Sequence, residues 1–231
     1  MNYFQDSLLS ALLLIRTRDP ALVEIVLTSL RVSLASTCIA AMIGVPLGFL
    51  IAIGRFPGKR GVVTALNTLL ALPTVVIGLM VYTVISRRGI LGALGWLYTQ
   101  KAIVIGQVIM IVPIVAMFTL SAVSRIDVRY RKTAMTLGAN RVQVGLVLLR
   151  EARFGIVSAV VAAFGRVISE IGISMMLGGN ARGFTRTMTT AMALEYDKGE
   201  FGLAIALGLI LMAISLSVNV FLNLLQGRAP A

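Results

Sequence analysis

Arg166 and Glu170 stand four residues apart inside an otherwise apolar run. Opposite charges at that spacing share one helix face and can pair. Ionisable groups in such a run cost a few kcal/mol each on insertion scales, so they face protein or water rather than lipid. Two readings of the pair stand side by side: it fixes a helix interface beside a pathway, or it neutralises itself in a helix–helix contact. Shortly after it, Gly178 to Thr190 gathers Gly178, Gly179, Asn180, Gly183, Thr185, Thr187, Thr189 and Thr190 with Arg182 and Arg186. Backbone N–H groups, hydroxyls and guanidinium groups in that mixture can donate to a tetrahedral dianion. Equally, Thr185 or Thr187 can cap the helix that follows. A cap with a polar vestibule is the better reading than a tight site. With no histidine and only Cys38 as cysteine, the commonest metal ligand and general base is missing, and thiol frameworks are excluded. Gly54 to Lys59 imitates a phosphate-binding loop, but the glycine spacing is one short and Arg60 stands where Ser or Thr is required. The chain itself is therefore read as carrying no ATP site and no catalytic or metal centre.

The elements that position these residues are membrane spans. The chain has 231 residues, 58% hydrophobic and 13% charged, with mean hydropathy +0.95, against about 25% charged in soluble domains. Apolar runs of roughly 20 residues predict five transmembrane helices, near 22–54, 62–85, 102–123, 154–177 and 201–225, with Pro73 and Pro113 inside the second and third. Residues 1–21 read as an interfacial segment too short to span, and no signal peptide is evident. Residues 227–231 form a tail. Within the first span, Gly44 to Gly48 reads as a small-residue packing face rather than a kink. Arg31, also within it, reads as snorkelling. The net charge of +12 belongs to the loops of a membrane protein and comes without an aromatic-basic nucleic-acid module. The loops at 55–61 and 124–153 with the C-terminus carry eleven basic residues, against eight on the other side. That bias predicts a cytoplasmic loop 124–153 and C-terminus, with the N-terminus outside.

Loop 124–153 is the longest polar interruption, yet it has helical spacing. Tyr130, Ala134 and Leu137 fall at i, i+4, i+7, as do Val142, Leu146 and Leu149. Gly138 can end the first helix in the left-handed region, and Asn140 with Gln143 can form a capping box for the second. The loop is predicted as helix, glycine turn, helix, lying against the membrane face with its basic side outward.

Lys132 to Ala139 resembles the Glu-Ala-Ala-x-x-x-Gly loop of ABC importer permeases through Ala134, Leu137, Gly138 and Ala139. Lys132 and Thr133 depart from it, as does Arg150-Glu151 where the family has Leu-Pro. Leu72 to Leu79 is similar to the Pro-x-Val-Val-x-Gly run of oxyanion permeases. Phe164 to Gly172, with Gly179-Asn180 and Thr185 to Thr187, resembles the molybdate, sulfate and tungstate group. Thr185 to Thr190 and Ala193 to Phe201 look most like tungstate permeases. The resemblance runs from about Val26 to Leu222. It implies an all-helical type I importer permease fold in the cell membrane, working as a homodimer. It also implies a cytoplasmic ABC ATPase, holding ATP and Mg, that docks on the loop at Ala134, Leu137, Gly138, Ala139, Asn140 and Arg141. An extracytoplasmic oxyanion-binding protein would complete the system, with membrane lipid around it and no cofactor in this chain. Pro73, Arg166, Glu170, Gly179, Asn180, Thr185, Arg186 and Thr187 become candidates for the translocation pathway or its interface. Tungstate is the expected substrate, with molybdate or sulfate as alternatives. A secondary anion transporter coupled through Arg166-Glu170 is the rival of another class, but unequal spans do not divide into repeats. A non-transporting scaffold would leave the ion pair and the Gly178 to Thr190 segment without a purpose.

Overall fold

Two of the long helices begin where a capping side chain, Asp19 or Thr99, meets an apolar run. In this computed structural model, which describes residues 3–226, α1 (Tyr3–Thr17) precedes α2 (Pro20–Ile53), α3 (Lys59–Leu70) and α4 (Thr74–Ile85). There follow α5 (Gln100–Ser124), α6 (Val128–Thr136), α7 (Arg141–Glu151), α8 (Arg153–Ile168), α9 (Gly172–Gly178), α10 (Met188–Lys198) and α11 (Phe201–Gln226). The predicted tail at 227–231, with the Arg228 used in the charge comparison, lies outside the described residues.

The Asp19 carboxylate accepts from the Ala21 and Leu22 amides at 2.9 and 3.1 Å, and Pro20 takes the first helical turn, where no amide is needed. The resulting 34-residue helix is about 51 Å long at 1.5 Å per residue, well beyond a hydrocarbon core of about 30 Å. It continues through Pro46. A Cβ on Gly44 would stand 2.8 Å from Val115 Cβ, and one on Gly48 2.2 Å from the Ala116 carbonyl oxygen. Gly44 and Gly48 are thus the packing face that lets α2 lie backbone to backbone on α5.

Among the described residues, three helices are long and apolar enough to cross a membrane: α2, α5 and α11, with mean hydropathies of 2.1, 2.5 and 2.5. Two bent helix pairs pass the same test together, which gives up to five crossings if each pair is one span. The run at 62–85 is not one helix: α3 and α4 meet at 98°. Pro73 is the reason, since it sits outside α4 as its cap residue and has no amide to continue α3. The run at 154–177 also divides, with α8 and α9 meeting at 60°.

The central apolar core joins α2, α4, α5, α8 and α9 through Val81, Ala102, Ile111, Val115, Ala163 and Ile173. A second core joins α1, α2, α8, α10 and α11 through Ala11, Leu22, Phe164, Met188 and Leu207. Helix α1 rides on α11, where Ser10 approaches Gly202. It leaves Leu9, Leu12 and Leu13 exposed on its outer face. The polar stretch 178–199 holds an unpredicted element, α10, whose Thr187 and Thr190 form a reciprocal capping box.

Candidate functional site

Breaking a helix frees backbone groups, and the site is built from how they are satisfied. Where α8 ends, the Glu170 carbonyl accepts from Thr189 Oγ1 at 2.9 Å and from Ser174 Oγ at 3.3 Å. Its carboxylate turns back onto both helices: Oε2 lies 2.9 Å from Arg166 Nη1, and Oε1 accepts from the Ile173 amide at 3.3 Å. Glu170 is 3% exposed while the Arg166 side chain is 46% exposed. The carboxylate is therefore a buried tie across the break, and the guanidinium keeps an open edge. From Ser174 a polar thread runs on through Gln107 at 3.5 Å to Ser36 at 2.8 Å, linking α9, α5 and α2.

The other break arrives at the same place. A Cβ on Gly172 would lie 3.1 Å from Thr74 Oγ1 and 3.2 Å from Glu170 Oε1. Pro73 and the start of α4 thus meet the start of α9, and Gly172 leaves the room. One turn further, Gly78 packs on Met176.

The segment after α9 uses its hydroxyls internally. Gly179 and Asn180 take left-handed φ of +69° and +50°. Thr185 Oγ1 donates to the Gly178 carbonyl at 2.6 Å and accepts from the Ala181 amide at 3.0 Å. Arg186 donates from Nε and Nη2 to the Asn180 carbonyl at 3.4 Å each. Asn180 Nδ2 donates to the Thr190 carbonyl at 3.3 Å, while its Oδ1 is buried without a partner. Thr185 and Thr187 are buried, so neither offers a free hydroxyl to a passing anion. Arg166 and Glu170 meet the two breaks, whereas Gly179, Asn180, Thr185, Arg186 and Thr187 form a clamp over the end of α9.

That clamp roofs a cavity of about 600 Å³ lined by Leu79, Tyr82, Tyr98, Met175, Met176 and Gly179. Neither Tyr82 and Tyr98 nor the paired methionines stood out from the sequence. Tyr98 itself takes a left-handed φ of +62°, and its amide donates to the Leu177 carbonyl at 2.9 Å. Its phenol is raised above the ordinary tyrosine value by hydrogen bonding to Tyr82, then by their mutual charge and by burial. It remains an uncharged hydroxyl around neutral pH. An aromatic on each side of the 86–99 connection was the available signal.

At the other end, α6 closes with a Schellman turn. The Gly138 amide donates to the Met135 carbonyl at 3.1 Å and the Ala139 amide to the Ala134 carbonyl at 3.0 Å, with Gly138 at φ +81°. Asn140 and Gln143 then form the capping box that starts α7, with bonds of 2.8 and 2.9 Å. The outward face differs from the one predicted. Val144 is the buried residue of α7, beside Gly145 on Phe49, while Leu137, Val142 and Leu146 are 81, 71 and 63% exposed. The apolar stripe does not lie against the rest of the chain; it points away, interleaved with arginines. Beside it, Tyr130, Ala134, Leu137, Ala139 and Val147 line a depression of about 460 Å³. Lys59, the lysine of the false phosphate loop, instead donates to the Ala52 and Gly54 carbonyls at 3.0 and 3.1 Å and closes the end of α2.

Two broken helix pairs around a polar thread, with a separate exposed two-helix loop, are the frame of a multi-pass membrane protein. Residues 44–229 match the model for the inner membrane component of binding-protein-dependent transport systems, and the chain belongs to that family. It is 39% identical to a probable anion ABC transporter permease of Haloferax volcanii, over 90% of this chain and 92% of that one. It is 36% identical to a tungstate uptake system permease of Peptoclostridium acidaminophilum, over 98% and 99%. A molybdenum transport permease of Escherichia coli is 29% identical over 83% and 91%. Among solved structures, the inward-facing MetNI methionine ABC transporter superposes with a TM-score of 0.73 at 19% identity, covering 90% of this chain and 96% of that one. That likeness carries the fold.

Proposed function

We propose that this chain is the permease of an ATP-driven importer whose substrate is a tetrahedral oxyanion, tungstate foremost. The observation that carries the substrate is the 36% identity with a tungstate permease along nearly the full length of both chains. The 29% identity with a molybdenum permease makes molybdate the second choice.

The working unit is a homodimer. Equivalent faces of two copies would enclose a central path, for which a protomer of up to five spans has little room alone. ATP and Mg belong to a separate ATPase subunit, which meets the exposed Leu137, Val142 and Leu146 around the Gly138 turn. A binding protein delivers the anion on the far side, where the N-terminus lies. Loop 124–153 and the C-terminus face the cytoplasm. Coupling then follows from connectivity: α5 leads into α6 within a few residues, and α7 leads into α8, which ends at Ile168 just before Glu170. A push on the docking turn reaches both the polar thread and the break. Release requires weak contacts, so an open edge of Arg166 and the Tyr82-Tyr98 pair suit the path better than a closed cage of donors.

The test is radiolabelled tungstate uptake in cells lacking other tungstate importers, supplied with this chain, its ATPase and its binding protein. Uptake should be ATP-dependent, and Gly138→Glu should abolish it without changing membrane abundance. No uptake of tungstate, molybdate or sulfate by the complete system would overturn the assignment.

A further inference from the structure

Along their glycine seam, α2 and α5 run parallel. Ser36 bonds Gln107, 71 positions later, and Gly44 and Gly48 meet Val115 and Ala116 in the same register. This register sets Arg31 level with Lys101, the second residue of α5. Arg31 is therefore not deep in the bilayer. It stands where α5 enters it, and the first turns of α2 rise above that level. The two side chains border a groove of about 510 Å³ between the helices, with Trp96 and Gln100 at the same end. One turn further in, the walls become apolar: Ala35 from α2, and Val104 and Ile105 from α5.

The charges at the mouth have no protein counterpart. Ion pairs among the described residues join Asp127 to Arg129, Glu170 to Arg166 and Glu195 to Lys198, and none includes Arg31 or Lys101. Both side chains are exposed. The groove is therefore cationic at the headgroup level and hydrocarbon-like below, with an indole at the boundary, where tryptophan concentrates. We propose that this groove holds one anionic phospholipid, its phosphate between Arg31 and Lys101 and one acyl chain along Ala35 and Ile105. Charge complementarity selects a lipid over a second copy of the chain, because a second copy would bring the same unpaired cations to the contact. The apolar lower walls select it over a free oxyanion, which has nothing to place there. Gln100 at the same mouth donates to the Phe184 carbonyl at 2.6 Å. A lipid seated here would thus steady the segment that carries Thr185 to Thr187.

Trp96 is the only tryptophan in the chain, so the groove contains its own reporter. The full-length chain is reconstituted in phosphatidylcholine vesicles with increasing fractions of phosphatidylglycerol brominated on its acyl chains, or of phosphatidylcholine brominated in the same way. A basic residue near an anionic headgroup is worth about fivefold in occupancy. Trp96 should therefore be half-quenched at a roughly tenfold or more lower fraction of the brominated anionic lipid. Arg31→Gln with Lys101→Gln should bring the two curves together. Coincident curves in the unaltered protein, a comparison that needs no variant to fold, would overturn the proposal. So would quenching by neither lipid, which would assign the groove to a protein contact. Loss of the difference on adding tungstate, but not sulfate, at constant ionic strength would reassign it to the transported anion.

Discussion

At the scale of single residues, Glu170 does more than balance a charge. One carboxylate oxygen holds Arg166, the other holds the first free amide of α9, and the carbonyl takes two hydroxyls. Truncating Arg166 to leucine would leave a buried carboxylate with a backbone amide as its remaining partner. Removing one member of a fully buried pair costs about 3–5 kcal/mol. Because half of the Arg166 side chain is exposed, water offsets part of that, and about 1–2 kcal/mol is the expectation. Arg166→Leu should lower the unfolding temperature of the detergent-solubilised protein by a few degrees, and adding Glu170→Gln should restore part of it. An Arg166→Leu protein as stable as the parent would remove the tie across the break. The pairing itself was legible from four-residue spacing. Its place at a helix end was not, because nothing within Ala163 to Ile173 breaks a helix except Gly165 and Gly172, and glycine alone does not say where.

At the scale of elements, local chemistry was readable and long-range consumption of it was not. Gly138 and the Asn140-Gln143 box act within a few residues, so the turn between α6 and α7 followed from spacing. The face of α7 did not, since Val144 rather than Val142 is buried, next to the Gly145 that meets Phe49, and the choice depends on where α2 lies. Thr187 caps α10 with Thr190 three residues on, a local arrangement that spacing allows, whereas Thr185 spends its hydroxyl on the Gly178 carbonyl, seven residues back across a turn that spacing does not reveal. Helix contact also gives a paired prediction. Gly48→Ala puts a methyl 2.2 Å from the Ala116 carbonyl oxygen and forces α2 off α5. Gly61→Ala in α3 meets nothing within 4 Å and gains up to about 1 kcal/mol of helix propensity. In thermal unfolding, the first should be strongly destabilised and the second unchanged or slightly stabilised. Equal behaviour would mean that the Gly48 contact does not hold the two helices together.

At the scale of the whole molecule, the exposed apolar surface is uneven in kind. On α11, Met212, Leu216 and Leu224 are 66–70% exposed, as suits a helix facing lipid. On α4, Val75, Leu79 and Met80 are also exposed, but Leu79 lines the Tyr82-Tyr98 cavity. If two copies enclose a path, α4 faces α4. Replacing Cys38 by serine leaves a chain without thiols, into which Met80→Cys or Met212→Cys can be placed. Oxidative cross-linking in membranes should trap a dimer through position 80 and not through 212. The opposite pattern would move the interface to α11 and leave the cavity at the periphery.

The glycine-mediated seam between α2 and α5 has one more consequence. Two backbones locked at van der Waals distance over successive turns, with a hydrogen bond from Ser36 to Gln107 at one end, share nearly all their degrees of freedom. Together they are the stator against which anything else must turn. Whatever rotates during a transport cycle is then confined to α3–α4 and α8–α10, whose backbone ladders are already interrupted. Alternation between the two sides of the membrane would need no helix to melt, only two existing joints to flex.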